Sequence, residues 1–312
     1  MDMEAAYKRI DAHCHFFTDT YRRILADHGI DAPDGVPMPQ WSVESQLEAM
    51  ELNGVAHSVL SISSPHPNFG GNGVTVDVRR INEEAAEYVR ANPEKLSFMA
   101  SLPLPNAERA IDEVVHCLDK LGAKGFTMPT NVRGVYLGNP ALNPLMEVLN
   151  ERRAVVSIHP TAPSAIPENV MEELPAPMIE FFFDTSRAVI NLLIKGTFAE
   201  YPDISWIVPH AGAVIPVLSD RLAGYGSEEL DVYGTLGRLY YDLAGPCTSK
   251  QLGILLKLTG PENLLFGSDF PFTNVVRGAG LLANLEGAPE LGHDDRMKMF
   301  QQNPEKLFGP LV

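Results

Sequence analysis

The chain has 312 residues, 45% of them hydrophobic and 21% charged, so it carries enough apolar material for one large core and matches neither disordered nor membrane-embedded chains. Its formal net charge of −16 argues against nucleic acid as a partner, because phosphate backbones are held by clustered Lys and Arg. Three cysteines, Cys14, Cys117 and Cys247, include no CxxC pair, and the odd count speaks against a disulfide framework and for a reducing cytoplasm.

The opening MDMEAAYKRIDAHCHFF has no basic segment followed by a long apolar stretch, and no window approaches a run of apolar residues long enough for a bilayer, so neither signal peptide nor membrane span is expected. The first apolar run, Arg9–Ala12, leads into His13 and His15. A Pro-rich insertion, His28–Trp41, separates it from the helical period of VESQLEAMELNG and the second run, Ser58–Ile62. DVRRINEEAAEYVRANP then precedes Leu96–Ala100, AERAIDEVVHCLDKLG precedes Ala123–Thr127, and LNPLMEVLNERR precedes Ala154–Ile158, which ends at His159. After a second Pro-rich insertion, Thr161–Pro177, SRAVINLLIKGTFAEYP leads to Ser205–Pro209 and His210. Leu239–Leu243, the helical KQLGILLKLTGP and Asn263–Gly267 close the series just before Asp269. Short β-branched runs alternating with helical stretches are the pattern of βα units around a parallel sheet. The expectation is a single α/β domain over residues 1–312, a (β/α)8 TIM barrel, with a doubly wound sheet as the structural alternative.

In extended backbone, residues two apart leave the same face, so His13 and His15 can converge on one ion. An HxH alone is common at strand ends, and each later histidine alone would be read as a hydrogen-bonded structural residue, with Asp269 a helix cap. Taken together, His13, His15, His159 and Asp269 fall at the C-terminal ends of strands, where a barrel gathers residues distant in sequence around one cavity. Imidazoles with one carboxylate suit Zn²⁺ or a similar divalent ion and leave a position open. His210 is either a further nitrogen ligand or, the reading preferred here, an acid/base group, since imidazole titrates near neutrality. Cys14, between the ligand histidines, should point away as a buried thiol.

Over nearly its whole length, from RIDAHCHFF through PQWSVESQLEAMELNGV, SISSP, YLGNPALNPLMEVLNERRAVVSIHPT, DTSRAVINLLIKGTFAEYP, WIVPHAGAVIP and YYDLAG to NLLFGSDFPF, the sequence resembles the decarboxylase-like branch of the amidohydrolase superfamily. The aminocarboxymuconate-semialdehyde decarboxylases and the salicylate-type decarboxylases belong to that branch. WSVES, SISSP, the YLGNP segment and DTSRA are similar to 6-methylsalicylate decarboxylases. The resemblance implies one metal, Zn²⁺ first and Mn²⁺ next, at His13, His15, His159 and Asp269, with His210 catalytic. Relatives pass an arginine matching Arg221 into a neighbouring subunit's site to hold a substrate carboxylate, which implies a homodimer. Arg187 is a second candidate for that contact, or for a structural pairing, and His66 a candidate for lining the pocket. Superfamily members with two metals often use a carbamylated lysine at the end of the fourth strand; here Thr127 and Met128 stand there and Lys124 lies near the strand's beginning, so one metal is expected. Gln46 falls where the aminocarboxymuconate enzymes carry a substrate-binding Arg, which argues against their dicarboxylate substrate, and HAGA replaces the commoner HAGG or HGGG.

These residues lead to the expectation of a cytoplasmic carboxy-lyase that releases CO₂ from a small anionic aromatic acid of salicylate type. Asp269 would protonate the carboxylate-bearing carbon and His210 would orient or relay the proton. The competing class is a hydrolase using the same metal to activate water against a lactone or amide, because ligands fix the metal more tightly than the reaction. A metal-binding protein without catalysis is the third.

Overall fold

The computed structural model describes residues 7–71, 73–225, 230–248 and 250–311; the first six residues, part of the opening segment read for a leader, lie outside the described residues. Eight parallel strands follow one another in chain order: β1 Arg9–His15, β2 Val55–Ser61, β3 Leu96–Ser101, β4 Gly125–Pro129, β5 Val155–His159, β6 Ser205–Val208, β7 Tyr240–Asp242 and β8 Leu264–Leu265. Each of the eight expected runs is a strand, and helices occupy the segments between them.

β8 is shorter than the expected run Asn263–Gly267, because the chain past Leu265 turns its hydrogen bonds toward β1. Ala12 N–H donates to Phe266 O at 2.9 Å, Asp269 N–H to His13 O at 2.9 Å and His15 N–H to Phe270 O at 2.7 Å. These bonds close the barrel and bring the segment carrying Asp269 alongside the two histidines of β1.

The apolar residues divide into two layers. Ile10, Ala12, Val59, Met99, Val155, Ile207 and Leu265 fill the barrel interior, with Phe308 and Leu311 packed among them. Lys124, just before β4, donates to Phe308 O at 3.2 Å, so these C-terminal residues plug the N-terminal ends of the strands and Lys124 is far from any site at the opposite ends. Outward-facing Leu60, Phe98, Phe126, Val156, Ile158 and Tyr241 pack under helix residues such as Ile81, Val114, Leu149, Leu192 and Leu252.

β1 departs from simple alternation. Ile10 and Ala12 face the interior, while Cys14 belongs to the outer layer. The register against β2 shifts between Asp11 and Cys14, and this irregularity reverses the phase so that His13 and His15 also face inward. Both lie within β1, which runs three residues beyond the expected Arg9–Ala12. Cys14 Sγ sits 3.6 Å from Val59 O on the far side, beside the buried Gln46, which bonds Ser58 Oγ and accepts from Trp41 Nε1. Gln46 therefore serves the outer layer and does not reach the histidines. All three cysteines are buried and unpaired. Among the described residues no helix is long and apolar enough to cross a membrane.

Candidate metal centre and active site

His159 reaches the interior by plain alternation along β5, in step with Val155 and Ser157, and Asp269 does so from the continuation of β8. His210 follows β6 in the opposite phase, and a left-handed backbone, φ 54°, turns it back. That conformation is uncommon for a non-glycine residue and is held by its neighbours: His210 N–H donates to Asp242 Oδ1 at 3.1 Å and Gln251 Nε2 donates to His210 O at 2.6 Å. Ala211, Ala213 and Asp269 also have positive φ, and the AGA after His210 forms a tight turn.

The rings of His13, His15 and His159 lie within 4.9 to 5.6 Å of one another, and His210 lies 5.1 Å from His13. Each strand histidine is tied through Nδ1: His13 to Asp242 Oδ2 at 2.8 Å, His15 to Ser61 O at 3.3 Å and His159 to Pro160 O at 2.8 Å. These acceptors place the Nδ1 proton and leave Nε2 as the free lone pair. Nε2 of His13 and of His15 are buried with no hydrogen-bond partner, and Asp269 Oδ1 stands 3.3 Å from His15 Nε2 and 3.8 Å from His13 Nε2. Buried lone pairs without donors are costly. A divalent ion taken by nitrogen and carboxylate together would satisfy them, and the donor atoms of His13, His15 and His159, like those of His13, His210 and Asp269, lie within 4.8 Å of one another.

The electrostatics agree. Burial pushes the His13 imidazole down, yet the carboxylates of Asp242, Asp269 and Asp11 outweigh it and carry the pKa up to about 9. Burial also opposes ionisation of Asp269, but the close approach of the His15 imidazole and, after it, that of His13 outweigh burial and bring it to about 2. A proton on His13 and a divalent ion are thus alternative ways to neutralise the same carboxylates. His15 and His159 are lowered by burial and by neighbouring imidazoles, and burial with His13 takes His210 to about 4, so His210 is neutral at pH 7. Burial and the Asp11 charge raise the Cys14 thiol well above its usual range, as expected of an inert core residue.

A cavity of about 380 Å³ opens beside the cluster, lined by His159, His210 and Asp269 at its polar side. Apolar walls come from Val36, Pro175, Pro177, Met178, Phe181 and Phe272. Both Pro-rich insertions therefore shape it, and they meet where Gly35, φ 83°, passes so close to Pro175 that a β-carbon would lie 3.2 Å away.

The remaining sequence candidates fall elsewhere. Arg187 is about half exposed and pairs with the buried Asp184 at 3.7 Å, where Asn131 also donates at 2.9 Å and Thr130 and Tyr136 donate closely. Its structural pairing is the arrangement observed, and it does not line the cavity. Arg221 is exposed in a separate surface groove with Leu218, Leu222 and Tyr225, so within one chain it cannot reach the cluster. His66 is buried behind the cluster, 6.0 Å from the His159 ring, with both nitrogens unpartnered. Sequence reasoning missed Asp242, the carboxylate that orients His13; its only signal was a lone acidic residue ending the apolar run YYD. It also missed Arg277, which lines the cavity.

A family model described as Amidohydrolase matches residues 10–309. Decarboxylase yanB of Aspergillus niger is 32% identical over 96% of this chain and 87% of its own length. The 6-methylsalicylic acid decarboxylase of Penicillium expansum is 33% identical over 84% of this chain and 85% of its own. Among solved structures, one named amidohydrolase II superposes with a TM-score of 0.94 at 37% identity, covering 97% of this chain and all of its own. A dihydroxybenzoic acid decarboxylase of Polaromonas, solved with bound manganese and 2-nitroresorcinol, has a TM-score of 0.82 at 21% identity, covering 97% of each chain.

Proposed function

The chain belongs to the amidohydrolase family, and on that premise we propose that it is a metal-dependent decarboxylase of a small salicylate-type acid, a carboxy-lyase that releases CO₂. The observation that carries the proposal is the convergence of unpartnered His Nε2 atoms and Asp269 at one side of an apolar cavity of ring-like size. His13, His15, His159 and Asp269 hold the metal in this reading, Zn²⁺ first and Mn²⁺ as the alternative suggested by the manganese-bound neighbour. The ion supplies Lewis-acid polarisation and a fixed template for the substrate.

The chain's own residues then do the following. Phe181, Phe272 and Met178 clamp the ring and exclude water. Asp269 takes the proton of the ortho hydroxyl as the substrate seats, then delivers it to the ring carbon bearing the carboxylate. That carbon becomes tetrahedral, its bond to the carboxylate breaks, and the electron pair returns to the ring as CO₂ leaves. The phenolate regains a proton from solvent. His210, stacked 5.8 Å from Phe182 and anchored through its backbone to Asp242 and Gln251, orients or relays the proton. The same reading takes the enzyme as cytoplasmic and homodimeric, Arg221 being available to a second copy.

Elemental analysis followed by CO₂ release from a panel of salicylates tests this. About one metal per chain with CO₂ release, abolished in His210→Asn and Asp269→Asn, is the expected outcome. Ring opening of a lactone with uptake of solvent oxygen and no CO₂ release would make the protein a hydrolase instead, and near-normal turnover in both variants would remove the assigned roles.

A further inference from the structure

We infer that Arg277 is the substrate-binding cation of this chain's own cavity, recognising the carboxylate of a benzoate-type monoanion. The inference rests on the decarboxylase reading above and adds a residue to it.

A protein of formal charge −16 repels an aromatic acid unless local positive charge offsets the field, and beside the ion proposed above a side-chain cation can supply part of it. Among the described residues lining the cavity, Arg277 is the only Lys or Arg, and it lines the same space as His159, His210 and Asp269. Within the chain its competitors are accounted for, since Arg187 is committed to Asp184, and Arg221 opens onto a different groove from which it could serve only a second copy's cavity. Arg277 is exposed and enters no ion pair among the described residues, although Asp34 lines the same cavity, so its guanidinium is available to a ligand. A planar fork matches a carboxylate in two parallel hydrogen bonds, a fit that lysine lacks.

The mounting of Arg277 is also specific. It sits in the first turn of the helix Val275–Glu286, where Asn274 Oδ1 accepts the Arg277 N–H at 3.0 Å. The chain before that helix is tied to the metal cluster: Thr273 N–H donates to Asp269 O at 2.8 Å and Thr273 Oγ1 to Asp269 Oδ2 at 3.2 Å. Arg277 and Asp269 are therefore held on one braced segment. A carboxylate recognised by Arg277 disappears when CO₂ leaves, so the same contact favours the acid over the phenol product and helps release it.

The test is calorimetric titration of the metal-loaded protein with salicylate and, separately, with phenol, at two salt concentrations. Arg277→Gln should weaken salicylate about tenfold, leave phenol unchanged and flatten the salt dependence, while Arg277→Lys recovers part of the loss. Salicylate binding equal to wild type in Arg277→Gln would overturn the inference. So would equal weakening of salicylate and phenol, which would mean a change of cavity shape and not of charge. A wild-type protein that binds neither ligand would refute the aromatic-acid reading together with this one, whereas CO₂ release by an Arg277→Gln variant with unimpaired salicylate binding would leave that reading standing and remove only Arg277.

Discussion

Asp242→Asn should cost the protein its metal without costing it its fold. Asp242 is fully buried, accepting from His13 Nδ1 at 2.8 Å through Oδ2 and from the N–H groups of His210 and Ala244, each at 3.1 Å, through Oδ1. An asparagine can fill this place in two ways. If its oxygen keeps the two backbone donors, its NH₂ faces His13 Nδ1, which must become an acceptor, and the imidazole proton moves to Nε2, the atom that faces the cluster. If the amide is flipped, two buried N–H groups lose their acceptor, at about 1–3 kcal/mol each. The first arrangement is the cheaper, so the variant is expected to hold His13 in the tautomer that cannot bind an ion. Loss of such an outer partner weakens metal binding by about 10–100-fold, or about 1.4–2.8 kcal/mol. Competition with a chelator of known affinity, read beside thermal unfolding of the metal-free protein, measures both quantities. A variant that binds zinc within twofold of wild type would refute the assignment of Asp242 as the group that fixes the His13 tautomer.

Gly267→Ala should also impair metal binding by a steric route, because its β-carbon would lie 2.7 Å from His13 Cβ and 3.0 Å from Ala244 Cβ. Displacing His13 by up to about an ångström relative to Asp269 should lower activity by as much as about a hundredfold at saturating metal, and wild-type turnover would contradict the packing described. Stability should depend on His57, which is buried between Glu94 O and Ser97 Oγ, with burial lowering its pKa from 6.5, the Glu94 carbonyl opposing, and Lys124 and Lys95 adding to the lowering. With the folded pKa below the unfolded one, the unfolded chain gains the proton first, so stability falls as pH drops below about 6.5 toward the folded value. Urea unfolding between pH 7.5 and 5.5 should show a smaller loss in His57→Gln than in wild type; parallel losses would assign the acid sensitivity elsewhere.

The barrel was legible because the pattern behind it is local. Runs such as Val155–His159 alternate between interior and outer layer with period two, and that parity alone carries His159 to the interior, in step with Val155 and Ser157. The pairing of His13 with His15 on one face followed from the same rule. Which face that would be did not follow, because strict alternation from Ile10 and Ala12 would send both histidines outward. The register shift between Asp11 and Cys14 decides it, and that shift exists only in the pairing of β1 with β2. His210 is turned inward by a backbone held by Asp242 and Gln251, and the arginines divide between cavity and surface according to how the loops and helices between strands lie. Periodicity along a strand is a property of neighbouring residues, so the sequence by itself determined the strands, the cavity end of the barrel and the histidines that gather there. The phase of β1 and the acceptor behind His13 depend on hydrogen bonds between segments far apart in the chain, and the arginine lining the cavity on how the helices between strands lie; only the tertiary structure decided those.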